Sequence, residues 1–375
     1  MRKLASVRKI KELRPIEGAD RIELSIIDGW QVIVKKDDFK VGDKCIYFEI
    51  DSVLPPKQEY DFMQTRKYKV KTIRLKGVIS QGLALPYNGS LEEGSDLTES
   101  LEVKHIDDLK PIVQNSTELY RKPKGFFKYL IWRIKNLFRS NTPGRLPFPW
   151  FLQKTDQERY QNYSDLTREF DKVEHEDIIM TEKLDGTSFT AYYHKGKFGI
   201  CSRNYELARK VSGTEHYFDI VEKHDIKTSM KTYFEMYLKS RPNIVGFFIQ
   251  GEIIGPSIQK NRYNLKEKGL FIFNTGLIKS DPNNKKNIIK EDDNYYLSTG
   301  RCFCLGIDYV PFKGLYSAKN KDHDTILNNL LEYSKLTSSL RKEAIAEGIV
   351  IRSNSNKVSM KCINPEYLLA NQEVD

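Results

Sequence analysis

The chain has 375 residues, a formal charge of +10 at neutral pH, a pI near 9.0 and 39% hydrophobic residues, enough for two domains with separate cores. No apolar run suits a signal peptide or a bilayer span. The five cysteines, an odd number without a CxxC pair, exclude a disulfide framework and fit a reduced, cytoplasmic setting. The basic excess favours an anionic partner, most simply a phosphate backbone bound in a salt-dependent way, with an acidic membrane surface as the competing reading.

From Lys3 to about Pro86 the signals are those of short strands. Ile22–Ile26 and Trp30–Val34 flank an Asp28-Gly29 turn, Lys44–Ile50 follows Gly42-Asp43, and a further strand runs from Val70 to Leu75 near Gly77. Such a series predicts a small barrel, and an OB-fold is the natural candidate because it holds nucleic acid on one face. The pattern Thr72, Arg74, Lys76 puts two cations on one strand face; a solvated edge strand reads the same way.

A polar exit segment spans residues 101–114, and then the composition shifts. Between Glu118 and Asp156 there is no acidic residue, and residues 115–145 form a basic, amphipathic insert. Read as a helix, it has Phe126, Leu130, Ile134 and Leu137 on one face and Lys124, Lys128, Lys135 and Arg139 on the other. It reads as a nucleic-acid-facing interdomain helix, a membrane-surface helix or a core helix with a solvated face. Pro143–Pro149 ends it, and a second domain is expected over 146–375, after an OB-fold domain over 1–114.

In that second domain Ile178–Met180 leads into Lys183, and two strands meet across His194-Lys195-Gly196. A helix is expected through Ile226, Met230, Tyr233, Phe234, Tyr237 and Leu238, and a buried strand over Val245–Ile254. Further strands are expected over Leu270–Asn274, Arg301–Val310 (with Cys302 and Cys304 alternating) and Gly348–Ser353, and a helix over Thr325–Leu336. The class is α+β on antiparallel sheet. The six histidines are scattered, which argues against a structural zinc site.

Neither a Walker A motif nor a GxGxxG turn is present, so a bound nucleotide needs another cradle. Six short stretches suggest one. In order they are Lys183-Leu184-Asp185-Gly186, Ser202-Arg203-Asn204, Gln250-Gly251-Glu252, Leu270–Asn274, Glu347–Arg352 and Ser359-Met360-Lys361. A lysine amine attacks phosphorus only when neutral, which calls for a desolvated or cationic setting such as Lys361 and a divalent metal beside Lys183. Asp185, Glu252 and Glu347 are the candidate metal carboxylates, each next to a glycine that permits close approach; taken singly, each is as well a strand-end turn. Phe271 and Phe273 alternate onto one face, where an aromatic can stack on a purine or simply fill a core.

These stretches, in this order, resemble motifs I, Ia, III, IIIa, IV and V of the covalent nucleotidyltransferases, the superfamily of ATP-dependent DNA and RNA ligases and mRNA capping enzymes. Little chain follows motif V, and a barrel-like domain lies in front. With Arg74–Gly82 and Lys154–Arg159, that arrangement resembles the ATP-dependent RNA ligases with an N-terminal OB domain, the amoeboflagellate type.

The resemblance implies attack of Lys183 on ATP to give lysyl-AMP, transfer of AMP to a 5′-phosphate RNA end, and sealing by a 3′-hydroxyl, with Mg2+ or Mn2+ as cofactor. It implies Glu182 at the adenine edge, Asp185 on the metal hydration shell, and Arg203 on the ribose or the 5′-phosphate. Glu252 would serve the ribose or metal waters, Phe271 or Phe273 would stack on adenine, Glu347 would serve the metal and Lys361 the α-phosphate. Arg74 would approach the β- and γ-phosphates, and Arg159 would contact a phosphate. At motif V, Ser359 stands where many ligases have lysine, and Lys357 is the expected substitute. A monomer acting in RNA repair, with no membrane partner, is expected. The alternatives are a DNA ligase, a capping-type guanylyltransferase, or a non-catalytic nucleic-acid binder, against which the intact Lys183, Glu252, Glu347 and Lys361 argue.

Overall fold

The computed structural model describes residues 3–106, 144–155, 157–208, 210, 212–281 and 288–371. The basic helix expected around Phe126 to Leu137 lies outside them. Among the described residues no helix is long and apolar enough to cross a membrane.

The first domain is a run of short strands: β1 (Ala5–Lys9), β2 (Glu12–Pro15), β3 (Ile22–Ile27), β4 (Trp30–Lys35), β5 (Lys44–Phe48), β6 (Ser52–Val53), β7 (Thr72–Leu75), β8 (Val78–Gln81), β9 (Leu83–Pro86) and β10 (Lys104–His105). They pair antiparallel as β1-β5-β9, β2-β3-β4, β7-β8 and β6-β10. The Ile33 N–H donates to Ser80 Oγ at 2.9 Å and ties β4 to β8. Alternate side chains point inwards and build two apolar clusters, one around Phe48, Tyr60 and Met63, the other around Trp30, Val32 and Tyr47. Lys76 does not share a strand face with Arg74. It forms with Gly77 a two-residue turn in which both residues have positive φ (48° and 79°), the twist-matched hairpin connection.

The second domain holds two sheets. Its strands are β11 (Arg145–Pro147), β12 (Glu158–Arg159), β13 (Ile178–Lys183), β14 (Thr187–His194), β15 (Lys197–Cys201), β16 (Tyr205–Leu207), β17 (Ile244–Ile254), β18 (Gly269–Ser280), β19 (Ile288–Asp292), β20 (Asp308–Tyr309), β21 (Phe312–Tyr316), β22 (Gly348–Ser353) and β23 (Ser359–Ile363). One sheet has the order β11-β16-β15-β14-β17-β18-β19 with β20 along β18, and the other β12-β23-β22-β13-β21. All pairs are antiparallel except β12–β23 and β18–β20. The helices are α1 (Leu166–Asp171), α2 (Glu215–Lys223), α3 (Ile226–Tyr233), α4 (Tyr295–Leu305), α5 (His323–Ser334) and α6 (Pro365–Ala370). Helices α2, α3 and α4 bury Ile220, Met230 and Cys302 with Phe189 and Phe247 of the first sheet, whereas α1 and α5 cover Met180, Ile351 and Met360 of the second.

Of the strand expected over Arg301–Val310 only Asp308–Tyr309 forms, as β20; Arg301–Leu305 is the end of α4. Asn294 caps the helix, its side chain accepting from the Leu297 N–H at 2.8 Å, and Gly306 ends it at φ 66°. Ser298, Arg301, Cys302 and Leu305 are buried at helical spacing, while Cys304 is exposed. The pattern hid because one inward residue is an arginine, neutralised by Asp293 at 2.6 Å.

The two domains are joined by polar contacts. Trp30 Nε1 donates to Asn162 Oδ1 at 3.0 Å, and the Asn162 amide donates to Glu49 at 2.7 Å. Gly29 sits where a Cβ would stand 2.9 Å from the Gln161 Cα, so only glycine lets the chains approach this closely.

Burial holds the imidazoles of His194, His216 and His224 below the usual histidine range, with a neighbouring lysine adding to the effect at each. The unfolded chain therefore takes up protons at higher pH than the folded one, and this share of stability is complete above about pH 6.5 and lost below it. The expected outcome is a melting temperature that falls from about pH 7 to pH 5.5, with a smaller fall in His194→Asn. Equal falls in the two proteins would contradict the assignment.

Candidate active site

Strand β13 ends at Lys183, and Leu184-Asp185-Gly186 carries the chain across to β14 of the other sheet. The crossing is tight: a Cβ on Gly186 would lie 2.3 Å from the Ile253 carbonyl oxygen. Lys183 stands opposite Gly348 in register, and Gly348 has φ 146° with the Cys362 carbonyl oxygen 2.1 Å from where a Cβ would be. Both motif glycines are therefore required by backbone packing. Glu252 on β17 faces Ser188 on β14 and Phe271 on β18, and Lys361 on β23 faces Val350. Ile179, Thr181 and Lys183 of β13 share a sheet face with Val350 and Arg352 of β22.

Lys183 Nζ lies 2.8 Å from Glu347 Oε1, both side chains largely shielded from solvent. Burial alone would lower the amine, but Glu347, Glu252 and Asp185 outweigh it and hold Lys183 above its usual value. Burial pushes the Glu252 carboxyl up to about 8, against the pull of Lys183 and helped by Glu347 and Asp185; it also raises Glu347. The site thus gathers three carboxylates around Lys183. Carboxylate oxygens in this state suit a hard divalent cation. Among the described residues, however, no three of His, Cys, Asp or Glu converge closely enough to hold one by themselves, so water or a phosphate would complete the shell.

Glu182 is buried. Its Oε2 accepts from the Ser339 N–H at 2.8 Å and lies 3.0 Å from Lys313 Nζ, while its Oε1 has no partner. Phe271 packs with Leu184, Ile254 and Tyr263. Phe273 is the extra residue of a bulge between the Gln250 and Gly251 pairings; the Arg352 guanidinium lies 5.4 Å over its ring and also donates to its carbonyl oxygen.

A sequence profile of the RNA ligase family matches residues 176–363, half of the chain, and a profile for an OB-fold domain matches residues 4–87. The chain belongs to the RNA ligase family. Solved structures of Naegleria gruberi RNA ligase match it end to end. The one with PPi is 27% identical with a TM-score of 0.75 and covers 100% of both chains. A lysine-to-alanine variant with ATP and Mn gives 26% and 0.75, and a glutamate-to-alanine variant with AMP and Mn gives 27% and 0.74, each over 99% of both chains. A search of curated proteins finds no match. The expected architecture, an N-terminal OB-fold followed by a ligase domain of antiparallel sheets with flanking helices, is the one present.

In this RNA ligase, Lys183, Asp185, Glu252 and Glu347 come together as the motif order suggests. Lys361 lies within electrostatic reach of Glu347 and the exposed Arg203 within reach of Glu252. Arg159, Arg74 and Lys357 each have a carboxylate partner of their own. Arg159 is buried at the domain boundary, 3.4 Å from Asp51 and with its guanidinium 5.8 Å from the Trp30 ring. Arg74 meets Glu366 on α6 at 2.5 Å, so it too serves the boundary. Lys357 is exposed in the β22–β23 turn, 4.0 Å from Glu176. It lies near the start of β13, whereas Lys183 is at its end, about 20 Å away at strand rise, so it does not replace the missing motif V lysine.

Sequence reasoning missed Arg262 and Tyr263. Arg262 Nε lies 3.3 Å from Asp185 Oδ2, and the Asp185 N–H donates to Tyr263 Oη at 2.6 Å. Their loop holds Ser257, Gln259, Asn261 and Asn264 at positive φ. The two asparagines were the only hint, being the residues that best tolerate that region.

Gly348→Ala should fail at both levels. The added methyl meets a carbonyl in a backbone region hostile to L residues, at a cost of at least about 1–3 kcal/mol, and it displaces the strand opposite Lys183. A variant with wild-type melting temperature and nucleotide labelling would show that the β22–β23 pairing is not needed to seat the lysine.

Proposed function

We propose that this RNA ligase joins 3′-hydroxyl and 5′-phosphate RNA ends, using ATP and a lysyl-AMP intermediate on Lys183, in the repair of broken RNA. The observation that carries this reading is the amine of Lys183 held at 2.8 Å from Glu347 among the further carboxylates Asp185 and Glu252.

Lys183 Nζ gives up a proton, for which Glu347 is the nearest acceptor, and attacks the α-phosphorus; an N–P bond forms as the bond to pyrophosphate breaks. A 5′-phosphate oxygen of RNA then displaces the lysine, which is reprotonated, and the 3′-hydroxyl displaces AMP to form the phosphodiester. Magnesium or manganese, when bound, would offset phosphate charge, and Asp185, Glu252 and Glu347 are the residues to hold it; relatives carry Mn with ATP or AMP. Lys361 meets charge on the α-phosphate, and Arg203 binds the ribose or the incoming 5′-phosphate. Glu252 also serves the ribose. Phe271 stacks on the base, since the Phe273 ring already has Arg352 over it. Arg74 reaches the β- and γ-phosphates only by leaving Glu366, and Arg159 only by leaving its buried seat. The protein works as a monomer in the cytoplasm.

Lys183→Ala should abolish transfer of label from α-labelled ATP to the protein, and Glu347→Gln should slow it by at least about 100-fold. EDTA should stop the wild type. Labelling of the alanine variant at the wild-type rate would exclude Lys183 as nucleophile. A preference for GTP in this assay would favour a guanylyltransferase, and sealing of DNA nicks but not RNA nicks a DNA ligase.

A further inference from the structure

We propose that Arg262 is the resident counter-cation of Asp185, and that it keeps free divalent metal out of the carboxylate cluster until a nucleotide brings its own negative charge. The proposal rests on the adenylyl-transfer reading above and assigns control of metal entry to a residue outside the six motifs.

The loop between β17 and β18 closes over the crossing at Leu184-Asp185-Gly186 and grips it on both backbone and side chain. The Asp185 N–H donates to Tyr263 Oη at 2.6 Å, the Gln259 amide donates to the Gly186 carbonyl at 3.1 Å, and Arg262 Nε lies 3.3 Å from Asp185 Oδ2. The two side chains of this ion pair are only 14% and 17% exposed, so solvent screens it weakly.

Arg262 is held in place from outside the loop as well. Its guanidinium lies 4.5 Å over the Tyr367 ring and donates to the Asn371 side-chain oxygen, and its carbonyl accepts from Arg341 Nη1 at 3.2 Å. The Tyr367 hydroxyl also hydrogen-bonds to Asp185. The same carboxylate thus meets a cation and the hydroxyl of the ring on which that cation is stacked.

Charge decides what this pairing does. A guanidinium does not lose its proton in a protein, so Arg262 cannot yield Asp185 by becoming neutral. In the cluster Lys183 stands on Glu347 and Arg262 on Asp185. A divalent ion arriving alone has to compete with Arg262 for Asp185 and is repelled by both cations. Among the described residues no three donors converge closely enough to overcome this. Phosphate oxygens change the balance, because they supply negative charge to metal and cations alike. Arg262 is therefore a positioning residue that acts through Asp185.

The test is a titration of nucleotide-free protein with Mn2+, read from the electron paramagnetic resonance signal of the free ion, which requires no turnover. Prior treatment with pyrophosphate removes any AMP carried on the lysine. In Arg262→Met, Mn2+ should bind at least about 3-fold more tightly, the worth of one lost charge pair. Arg262→Lys keeps the charge and should stay close to the wild type, and adding Asp185→Asn to Arg262→Met should remove the gain. If Arg262 served only to order Asp185, its loss would weaken Mn2+ binding; weaker or unchanged binding in Arg262→Met would overturn the proposal. If that variant does not fold, Asn371→Ala, which removes one anchor of the guanidinium, decides: tighter binding supports the proposal and a wild-type value overturns it. Absence of any adduct between wild type and α-labelled ATP would instead sink the adenylyl-transfer reading, an outcome separate from the Mn2+ titration.

Discussion

The gathering of three carboxylates around the Lys183 amine is the constraint on which the rest of the second domain depends. Lys183 must leave one sheet at its end, Glu252 must come from the other, and Glu347 must sit on the turn before β22, or the charges cannot meet. Two glycines make that meeting possible because no side chain fits at Gly186 or Gly348. The domain spends its backbone freedom where the two sheets cross, and the apolar clusters on the outer faces hold the crossing in place. The raised carboxyls of Glu252 and Glu347 follow directly: burial brings like charges together, and protons or a cation must relieve them.

The barrel is bound into this arrangement by specific contacts. Trp30, Glu49 and Asn162 form a chain of hydrogen bonds, Gly29 lies against Gln161, and Leu368 of α6 packs on the barrel cluster that contains Trp30 and Tyr47. Arg159 and Arg74 belong to the same boundary. Both arginines find carboxylate partners more than a hundred positions away in the chain.

That distance explains what was legible in the sequence. Local patterns gave strands at Ile22–Ile26, Trp30–Val34 and Val245–Ile254, each within a residue of the observed one, and the helix beginning at Ile226, because alternation and helical spacing are properties of adjacent residues. The motifs gave Lys183, Asp185, Glu252 and Glu347 as one group because their chemistry is specific and their order is informative. Arg301 defeated the same reasoning: a buried charge inside α4 breaks the apolar pattern, and only its partner Asp293 reveals why it can be there. Lys313 and Arg262 were invisible for a related reason. Each acts on a motif residue from outside the motif, and nothing in a local stretch marks a lysine or arginine as aimed inward.

Helix α6 shows how far such long-range contacts reach. Its Glu366 holds Arg74 of the barrel, its Leu368 packs on the barrel core, and the Arg262 guanidinium lies 4.5 Å over the Tyr367 ring and donates to Asn371 just beyond the helix. Arg262 in turn pairs with Asp185, two residues from Lys183. A short helix therefore touches the barrel through Glu366 and Leu368 and, through Tyr367, a cation paired with Asp185. Close packing transmits displacement along such a path, because interiors have little void into which a side chain can give way. The barrel and the carboxylate cluster around Lys183 are in this sense one mechanical unit, linked through α6, Arg262 and Asp185.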